Sequence, residues 1–214
     1  DQDEDALKNK LPNLNFKLIR SNFKYIKNFL KLEGITKIDG LIADLGISSH
    51  QIDIPKRGFA YKFNSSLDMR MNNSSDLTAI NVVNEYTEKE LSDVFFYYGD
   101  FKDSKKIAKQ IFNKRNEKEI ISTYDLVAAL EGLFSEKNKN KYLARIFQAI
   151  RIEVNDEINS LKKLLNDATK LLKSEGRLVV ISYHSLEDRL VKNLINKGSV
   201  DGKSNQDFFG KVTK

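Results

Sequence analysis

One short run, Ile38 to Ala43, restricts the fold of this chain more than any other feature, because it is mostly apolar and is followed by a carboxylate, Asp44. An apolar run that leads into a polar turn is typical of a buried strand in a parallel sheet. A helical pattern from Phe23 to Gly34 precedes it, and residues 14–19 predict another strand before that helix. Strand, helix and strand in this order predict a βαβ unit, and hence an α/β fold with a parallel sheet.

A second buried strand is predicted at residues 178–181, and it also ends in polar residues. Ser182, Tyr183 and His184 follow it, and Ser185 is placed to cap the next helix. Open parallel sheets bind ligands beyond the carboxyl ends of their strands. We therefore expect Asp44 and the residues after the second strand to line one pocket, at the ends of neighbouring parallel strands.

The middle of the chain has the pattern of an all-helical segment. Between residues 74 and 142, apolar residues recur at helical spacing; Asp76 is predicted to cap the first helix, and Thr87 forms a capping box with Glu90. A longer helical pattern from residue 142 to 172 predicts a bend near Asn155 and an end at Gly176. We predict a sheet domain in two parts, residues 1–73 and 143–214, with an inserted helical subdomain at residues 74–142.

Composition excludes several kinds of site. The 214 residues include no Cys, which excludes disulfides and thiolate ligands, and the two His lack metal-ligand spacing, so we expect no metal. No apolar run is long enough to cross a bilayer, and we expect a cytoplasmic protein that does not bind membranes. The formal charge of +6 suits a polyanionic partner, although a solvated helix face explains any single lysine better.

Five sequence blocks, in order along nearly the whole chain, resemble one known family. They are D-L-G-I-S-S-x-Q from Asp44, R-G-F from Arg57, L-D-M-R-M from Leu67, F-Q-A-I-R-I-E-V-N-D-E from Phe147 and G-R-L-V-V-I-S-Y-H-S-L-E-D-R from Gly176. Together they are similar to the RsmH (MraW) family of bacterial methyltransferases. The resemblance implies a Rossmann-like sheet that binds S-adenosylmethionine and modifies the N4 amine of a cytosine in 16S ribosomal RNA. The implied partner is small-subunit RNA or the 30S particle; a homodimer stays open.

The chemistry requires groups that align a weakly nucleophilic amine with a sulfonium methyl. Acceptors at strand ends help, because they attract the hydrogens of an amine whose lone pair is delocalised into the ring. We predict catalytic roles for Asp44, Ser48, Ser49 and His184. The resemblance implies that the cofactor is bound by Asp1, Phe23, Asp44 and Gln51. We predict that RNA is bound by Arg57, Phe59, Asp68, Arg70, Arg151 and Arg189.

Several of these assignments have a structural alternative. Asp68 and Arg70 suit an internal salt bridge that orders a loop as well as they suit substrate binding. Phe23 at the start of a helix is more often a core residue, and Arg151 within an apolar stripe is more often at the edge of a core. Asp3 fits the ribose-binding position as well as Asp1 does.

The glycine-rich loop expected after the first strand of such a fold is not found in this sequence. We therefore expect sequence to be missing before Asp1, and an inactive fragment is one expectation. Two other functions stay open: a nicotinamide-dependent oxidoreductase on a similar sheet, which would need that loop, and a noncatalytic RNA-binding or ribosome-assembly module. Binding of S-adenosylmethionine rather than NAD would exclude the oxidoreductase, and a measured methyl transfer would exclude the noncatalytic module.

Overall fold

A computed structural model describes residues 1–8 and 15–203 of the chain. In chain order the elements are α1 (Ile26–Leu32), β1 (Ile38–Asp44), α2 (Ser49–Asp53), α3 (Ala79–Glu85), α4 (Glu88–Tyr97), α5 (Ser104–Glu117), α6 (Thr123–Ala129), α7 (Glu136–Val154), α8 (Glu157–Leu171), β2 (Leu172–Ile181) and α9 (Ser185–Lys197). Short 3-10 turns lie at Ala6–Lys8, Phe23–Tyr25 and Pro55–Arg57. No helix in this part of the chain is both long and apolar enough to cross a membrane.

The chain forms two compact units. Unit 1 comprises Asp1–Gly46 and Glu157–Lys214, and unit 2 comprises Ile47–Asp156. Both boundaries differ from those expected from the sequence, which lay between residues 73 and 74 and between 142 and 143. The reason is a shared core: apolar side chains of residues 59–71 and of α7 are buried in the same cluster as the helices between them.

In the residues that the structure describes, the sheet of unit 1 contains β1 and β2, which pair in parallel as expected. Asp44 lies opposite Ile181, so the two strands end side by side. Leu41 and Ala43 face a core formed with α8 and α9, whereas Ile42 between them is 76 % exposed. The expectation of a buried strand therefore holds for only one face of β1 in the described residues, because β1 alternates between a buried and an exposed face.

Other local expectations for unit 1 are also corrected. Residues 15–20 form no strand, and residue 14 of that predicted strand lies outside the described residues. Helix α8 ends at Leu171 and continues directly into β2, so Gly176 lies within a strand and does not end a helix. The helix predicted before β1 is confirmed as α1, with Gly34 at φ +71° just after its end.

Unit 2 contains α2 to α7 around a core that includes the fully buried Leu67, Phe95 and Ile146. Local hydrogen bonding sets its helix starts. Thr78, rather than Asp76, caps α3, because its side chain accepts from the Asn81 N–H. The capping box of Thr87 and the break at Asn155 are both confirmed, since Thr87 caps α4 and α7 ends just before Asn155.

Candidate active site

The ends of β1 and β2 bring Asp44 and Tyr183 together in unit 1. The Tyr183 hydroxyl donates a hydrogen bond of 2.9 Å to Asp44 Oδ1. Both side chains face solvent, and Tyr183 is 67 % exposed. Because parallel register places the two strand ends next to each other, a polar pair forms where a ligand of an open parallel sheet would approach.

The turn after Asp44 leaves room for the Tyr183 ring. Gly46 has φ +82°, and a Cβ at that position would lie 3.4 Å from Tyr183 Cδ2. The hydrogen bond to Asp44 and the negative charge of that carboxylate raise the pKa of the Tyr183 hydroxyl above its ordinary value. Tyr183 therefore remains a hydrogen-bond donor throughout the neutral pH range.

A buried ionisable cluster lies directly behind this pair. Ligand atoms of Glu157, His184 and Glu187 lie within 4.8 Å of one another. The His184 side chain, 8 % exposed, caps α9: its Nδ1 accepts from the Glu187 N–H at 3.5 Å, so Ser185 is not the cap predicted from the sequence. Its Nε2 lies 3.3 Å from Glu187 Oε1, at ion-pair distance but without hydrogen-bond alignment.

The protonation of His184 decides what this cluster can hold. An imidazole that accepts a hydrogen bond at Nδ1 carries its proton on Nε2 when neutral. A metal ion would need a lone pair on Nε2, which this tautomer does not offer. The arrangement therefore favours a hydrogen-bonded cluster over a metal centre, and the burial of His184 favours a positioning role over direct catalysis.

The candidate cofactor residues of unit 1 differ in accessibility. Asp1 is exposed, and its Oδ1 accepts from the Asp3 N–H at 2.9 Å. Asp3 is only 5 % exposed, and its Oδ1 accepts from the Asp5 N–H, so Asp1 is the more accessible of the two alternatives. Phe23 is 40 % exposed at the start of a 3-10 turn, which makes its ring available for stacking.

The S-S-x-Q residues lie in unit 2, where they begin α2. Ser48 caps this helix: its hydroxyl accepts from the Gln51 N–H, and Gln51 Oε1 accepts from the Ser48 N–H at 3.0 Å. Gln51 is only 6 % exposed. This reciprocal pair is a capping box, so both side chains order the turn; the S-x-x-Q spacing is the local sequence signal for such a box. Ser49 is exposed on the first turn.

Arg57 has partners within the protein that favour a structural role, and its contact with RNA stays a prediction. Its side chain is buried, with 5 % of the residue exposed, and Nη2 donates to the main-chain oxygens of Arg70 at 2.9 Å and Met71 at 3.2 Å. The guanidinium also lies 5.7 Å from the ring centroid of Phe59. It therefore connects the turn at residues 55–58 to the segment that contains L-D-M-R-M.

Asp68 and Arg70 form the internal salt bridge that the sequence left open. Arg70 donates from Nε to Asp68 Oδ1 at 2.9 Å and from Nη2 to Oδ2 at 2.8 Å. Burial alone would raise the pKa of Asp68, but the hydrogen bonds from Arg70 outweigh it and lower that pKa. A third bond, from Arg70 Nη1 to the Ser75 oxygen at 2.6 Å, closes the loop. This network orders the segment.

A cavity of about 340 Å³ in unit 2 brings together two of the predicted substrate residues, Phe59 and Arg151. Tyr61 and Phe147 also line it, with their ring centroids 5.7 Å apart in an edge-to-face arrangement. Phe63, which alternates with Phe59 and Tyr61 along the sequence, does not line it. Arg189, the remaining predicted substrate residue, is exposed on α9 in unit 1.

The sequence placed Tyr183 in the predicted pocket and Glu187 just after it, but assigned neither residue a specific role. For Tyr183, nothing in its neighbours reveals a hydrogen bond to a residue 139 positions away. Glu187 had a local signal: a carboxylate three residues after a helix cap is the third residue of a capping box. Here that carboxylate accepts from the N–H of Tyr183, one residue before the cap, at 2.9 Å.

Comparisons with known proteins identify a family. The family model described as the MraW methylase family matches residues 1–207. A protein of Phocaeicola vulgatus named ribosomal RNA small subunit methyltransferase H is 49% identical over 99% of this chain and 70% of that protein. Proteins with the same name from Flavobacterium johnsoniae and Cytophaga hutchinsonii are 50% and 46% identical, over 98% and 100% of this chain and 70% and 72% of those proteins.

Proposed function

The chain belongs to the MraW methylase family, and on that premise we propose that it transfers a methyl group from S-adenosylmethionine to the N4 amine of a cytosine in small-subunit ribosomal RNA. The names of its relatives support the RNA substrate. One structural observation carries the site assignment: β1 and β2 end in register, with Asp44 and Tyr183 paired and exposed at their carboxyl ends. The proposed substrate is RNA in the cytoplasm, free or within the 30S particle.

Bound S-adenosylmethionine supplies an electrophilic methyl group on a sulfonium. In the balanced reaction the carbon–sulfur bond breaks and a carbon–nitrogen bond forms, which leaves S-adenosylhomocysteine and an amine that has lost one proton to water. The Asp44 carboxylate is suited to accept a hydrogen bond from the cytosine amine and to turn its lone pair toward the methyl group. Proton transfer to a strong base is not required by this scheme.

Residues of unit 1 have the chemistry and exposure to bind the cofactor. The exposed ring of Phe23 offers a stacking surface for adenine, and the exposed carboxylate of Asp1 suits the two ribose hydroxyls. The Tyr183 ring lies beside Gly46, whose φ of +82° is the conformation that glycine adopts most readily. We propose Asp1, Phe23 and Asp44 as cofactor residues on these grounds.

Residues of unit 2 are suited to the RNA. Its cavity combines the aromatic rings of Tyr61 and Phe147 with the cationic side chains of Lys62 and Arg151. Unpaired RNA bases stack on aromatic side chains, while cations neutralise the adjacent phosphates. We therefore propose that single-stranded RNA, rather than a duplex, is the form that this unit binds.

Calorimetry tests the cofactor assignment. Removing the Asp44 carboxylate with Asp44→Ala should weaken binding of S-adenosylmethionine about 10- to 100-fold, because a hydrogen bond to a charged group is worth roughly 1.5–3 kcal/mol. Asp39→Ala is the matched control: Asp39 lies on the same strand, is 87% exposed in its side chain and pairs with Lys173 instead. Tight binding retained by Asp44→Ala, or binding of NAD instead of S-adenosylmethionine, contradicts the proposal.

Methyl transfer tests the reaction itself. Small subunits that lack the modification are incubated with the protein and labelled S-adenosylmethionine, and their nucleosides are separated by mass spectrometry. We expect N4-methylcytidine, and its loss in Asp44→Ala. Binding of RNA without any methylated nucleoside would instead favour a noncatalytic role in ribosome assembly.

A further inference from the structure

The buried cluster behind Asp44 and Tyr183 has no role in the chemistry described above, and its hydrogen bonds run toward the site. Glu187, only 3 % exposed, lies in the first turn of α9. Its Oε2 accepts from the Tyr183 N–H at 2.9 Å, while its own N–H donates to His184 Nδ1 at 3.5 Å. The start of α9 is thereby tied to the segment that carries Tyr183.

The second carboxylate oxygen of Glu187 faces His184. Because Nδ1 accepts a hydrogen bond, the neutral ring presents its Nε2–H, and Nε2 lies 3.3 Å from Oε1. The Glu187 carboxylate thus accepts a hydrogen bond from the Tyr183 main chain at one oxygen, while its other oxygen lies at ion-pair distance from the His184 ring without hydrogen-bond alignment. A buried carboxylate held by a main-chain N–H and packed beside this ring has restricted rotation, so the position of the Tyr183 backbone is restricted with it.

Tyr183 transmits this restriction to the exposed site. Its side chain leaves the anchored backbone, passes the open turn at Gly46 and donates to Asp44 Oδ1. Without support at one end, two solvent-facing side chains would change rotamer freely, and the hydrogen bond between them would break often. Here the support comes from the buried Glu187 carboxylate, which accepts from the Tyr183 N–H.

We infer that Glu187 is a positioning residue, which acts through the main chain of Tyr183 to hold the Tyr183 hydroxyl on Asp44 and so orients that carboxylate. The inference rests on the proposed function, since it assigns Asp44 the role given there. Neither Glu187 nor His184 contacts the reacting atoms in this scheme.

The test measures the Tyr183–Asp44 bond without any substrate. Tyrosine labelled with ¹³C at the Cζ atom is incorporated, and the Tyr183 signal is identified among the eight tyrosines by its loss in Tyr183→Phe. In the native protein the Tyr183 pKa should lie above its ordinary value, and Asp44→Asn should lower it toward about 10. Glu187→Gln should lower it as well, but this variant also removes the negative charge of Glu187, which itself raises the Tyr183 pKa. His184→Asn keeps that charge, so a fall of the Tyr183 pKa in His184→Asn reports the positioning effect.

Asp188→Asn is the matched control, since it makes the same change on the next residue, whose carboxylate is 46% exposed and pairs with Lys192. This variant should leave the Tyr183 pKa unchanged. His184→Asn should fold, because Asn still caps a helix but removes the Nε2–H. An unchanged Tyr183 pKa in either folded variant, or an equal fall in Asp188→Asn, overturns the inference.

A double-mutant cycle then tests whether the effect of Glu187 on the rate of methyl transfer depends on the Tyr183 hydroxyl. Tyr183→Phe should reduce the rate about fivefold, the effect of losing one exposed hydrogen bond. If Glu187 acts through that hydroxyl, Glu187→Gln should cause no further loss in the Tyr183→Phe background, whereas additive losses contradict the mechanism. The pKa measurement requires no cofactor, so its result stands even if S-adenosylmethionine proves not to bind.

Discussion

Replacing Arg57 by Met separates a structural role from an RNA-binding role at the start of the R-G-F block. The guanidinium is buried and donates to two main-chain oxygens, of Arg70 and Met71. A hydrogen bond that involves a charged group contributes roughly 1.5–3 kcal/mol, so these two bonds together contribute roughly 3–6 kcal/mol. Because Met keeps much of the apolar contact with Phe59 and the loop can relax, we expect a loss of about 3 kcal/mol.

The assay is urea unfolding monitored by circular dichroism at pH 7, together with titration of a single-stranded RNA oligonucleotide into the folded protein. Arg189→Met is the control, because Arg189 is exposed on α9 and should change the unfolding free energy by no more than about 0.5 kcal/mol. A stable Arg57→Met protein that has lost only its affinity for RNA would refute the structural role derived from these contacts.

Two further predictions concern unit 2. The hydrogen bond from Lys118, followed by the one from Ser122, lowers the pKa of Asp125 from 3.8 to about 2, so Asp125→Asn should cost about 1 kcal/mol at pH 7 after allowance for solvent screening. Because the folded protein lowers the pKa of Asp125, the ionised carboxylate stabilises the fold above pH 4, and this contribution is lost between pH 4 and 2. The unfolding free energies of the native protein and of Asp125→Asn in urea should therefore converge over that range. A difference that stays constant with pH would contradict the assignment. Gly58→Ala should destabilise the protein by about 2 kcal/mol or more, because its Cβ would lie 2.4 Å from a main-chain oxygen. Gly132 has a similar φ but no atom within 4 Å of the added Cβ, so Gly132→Ala should cost only about 1 kcal/mol in the same unfolding assay. Equal losses in the two glycine variants would exclude the clash as the cause.

Local patterns predicted the elements whose cause is itself local. The Thr87 capping box, the break at Asn155 and the helix before β1 all depend on residues within a few positions of one another. The strand ending at Asp44 and its parallel neighbour were also predicted, because apolar runs with polar ends restrict how a sheet can be formed. The predicted cap of α9, Ser185, was wrong by one residue, because the imidazole of His184 is the group that accepts the capping hydrogen bond.

The roles of the polar side chains were decided by which protein groups the folded loop brings beside them. Arg57 and Arg70 carry the positive charge expected of residues that bind RNA, but their partners lie in the same loop and hold it together. Residue type reveals charge and hydrogen-bonding capacity, not whether a protein group or a ligand uses that capacity. Burial makes the difference, because a buried charge needs a partner within the protein.

The sequence by itself determined the family, the parallel pairing of β1 with β2 and the carboxylate at their common end, since each depends on residue order or on apolar pattern. Only the tertiary structure decided that Tyr183 contacts Asp44 and that Glu187 supports it from a buried position. The physical reason is that a hydrogen bond requires about 3 Å between two atoms, and only the folded chain brings residues 44 and 183 to that distance.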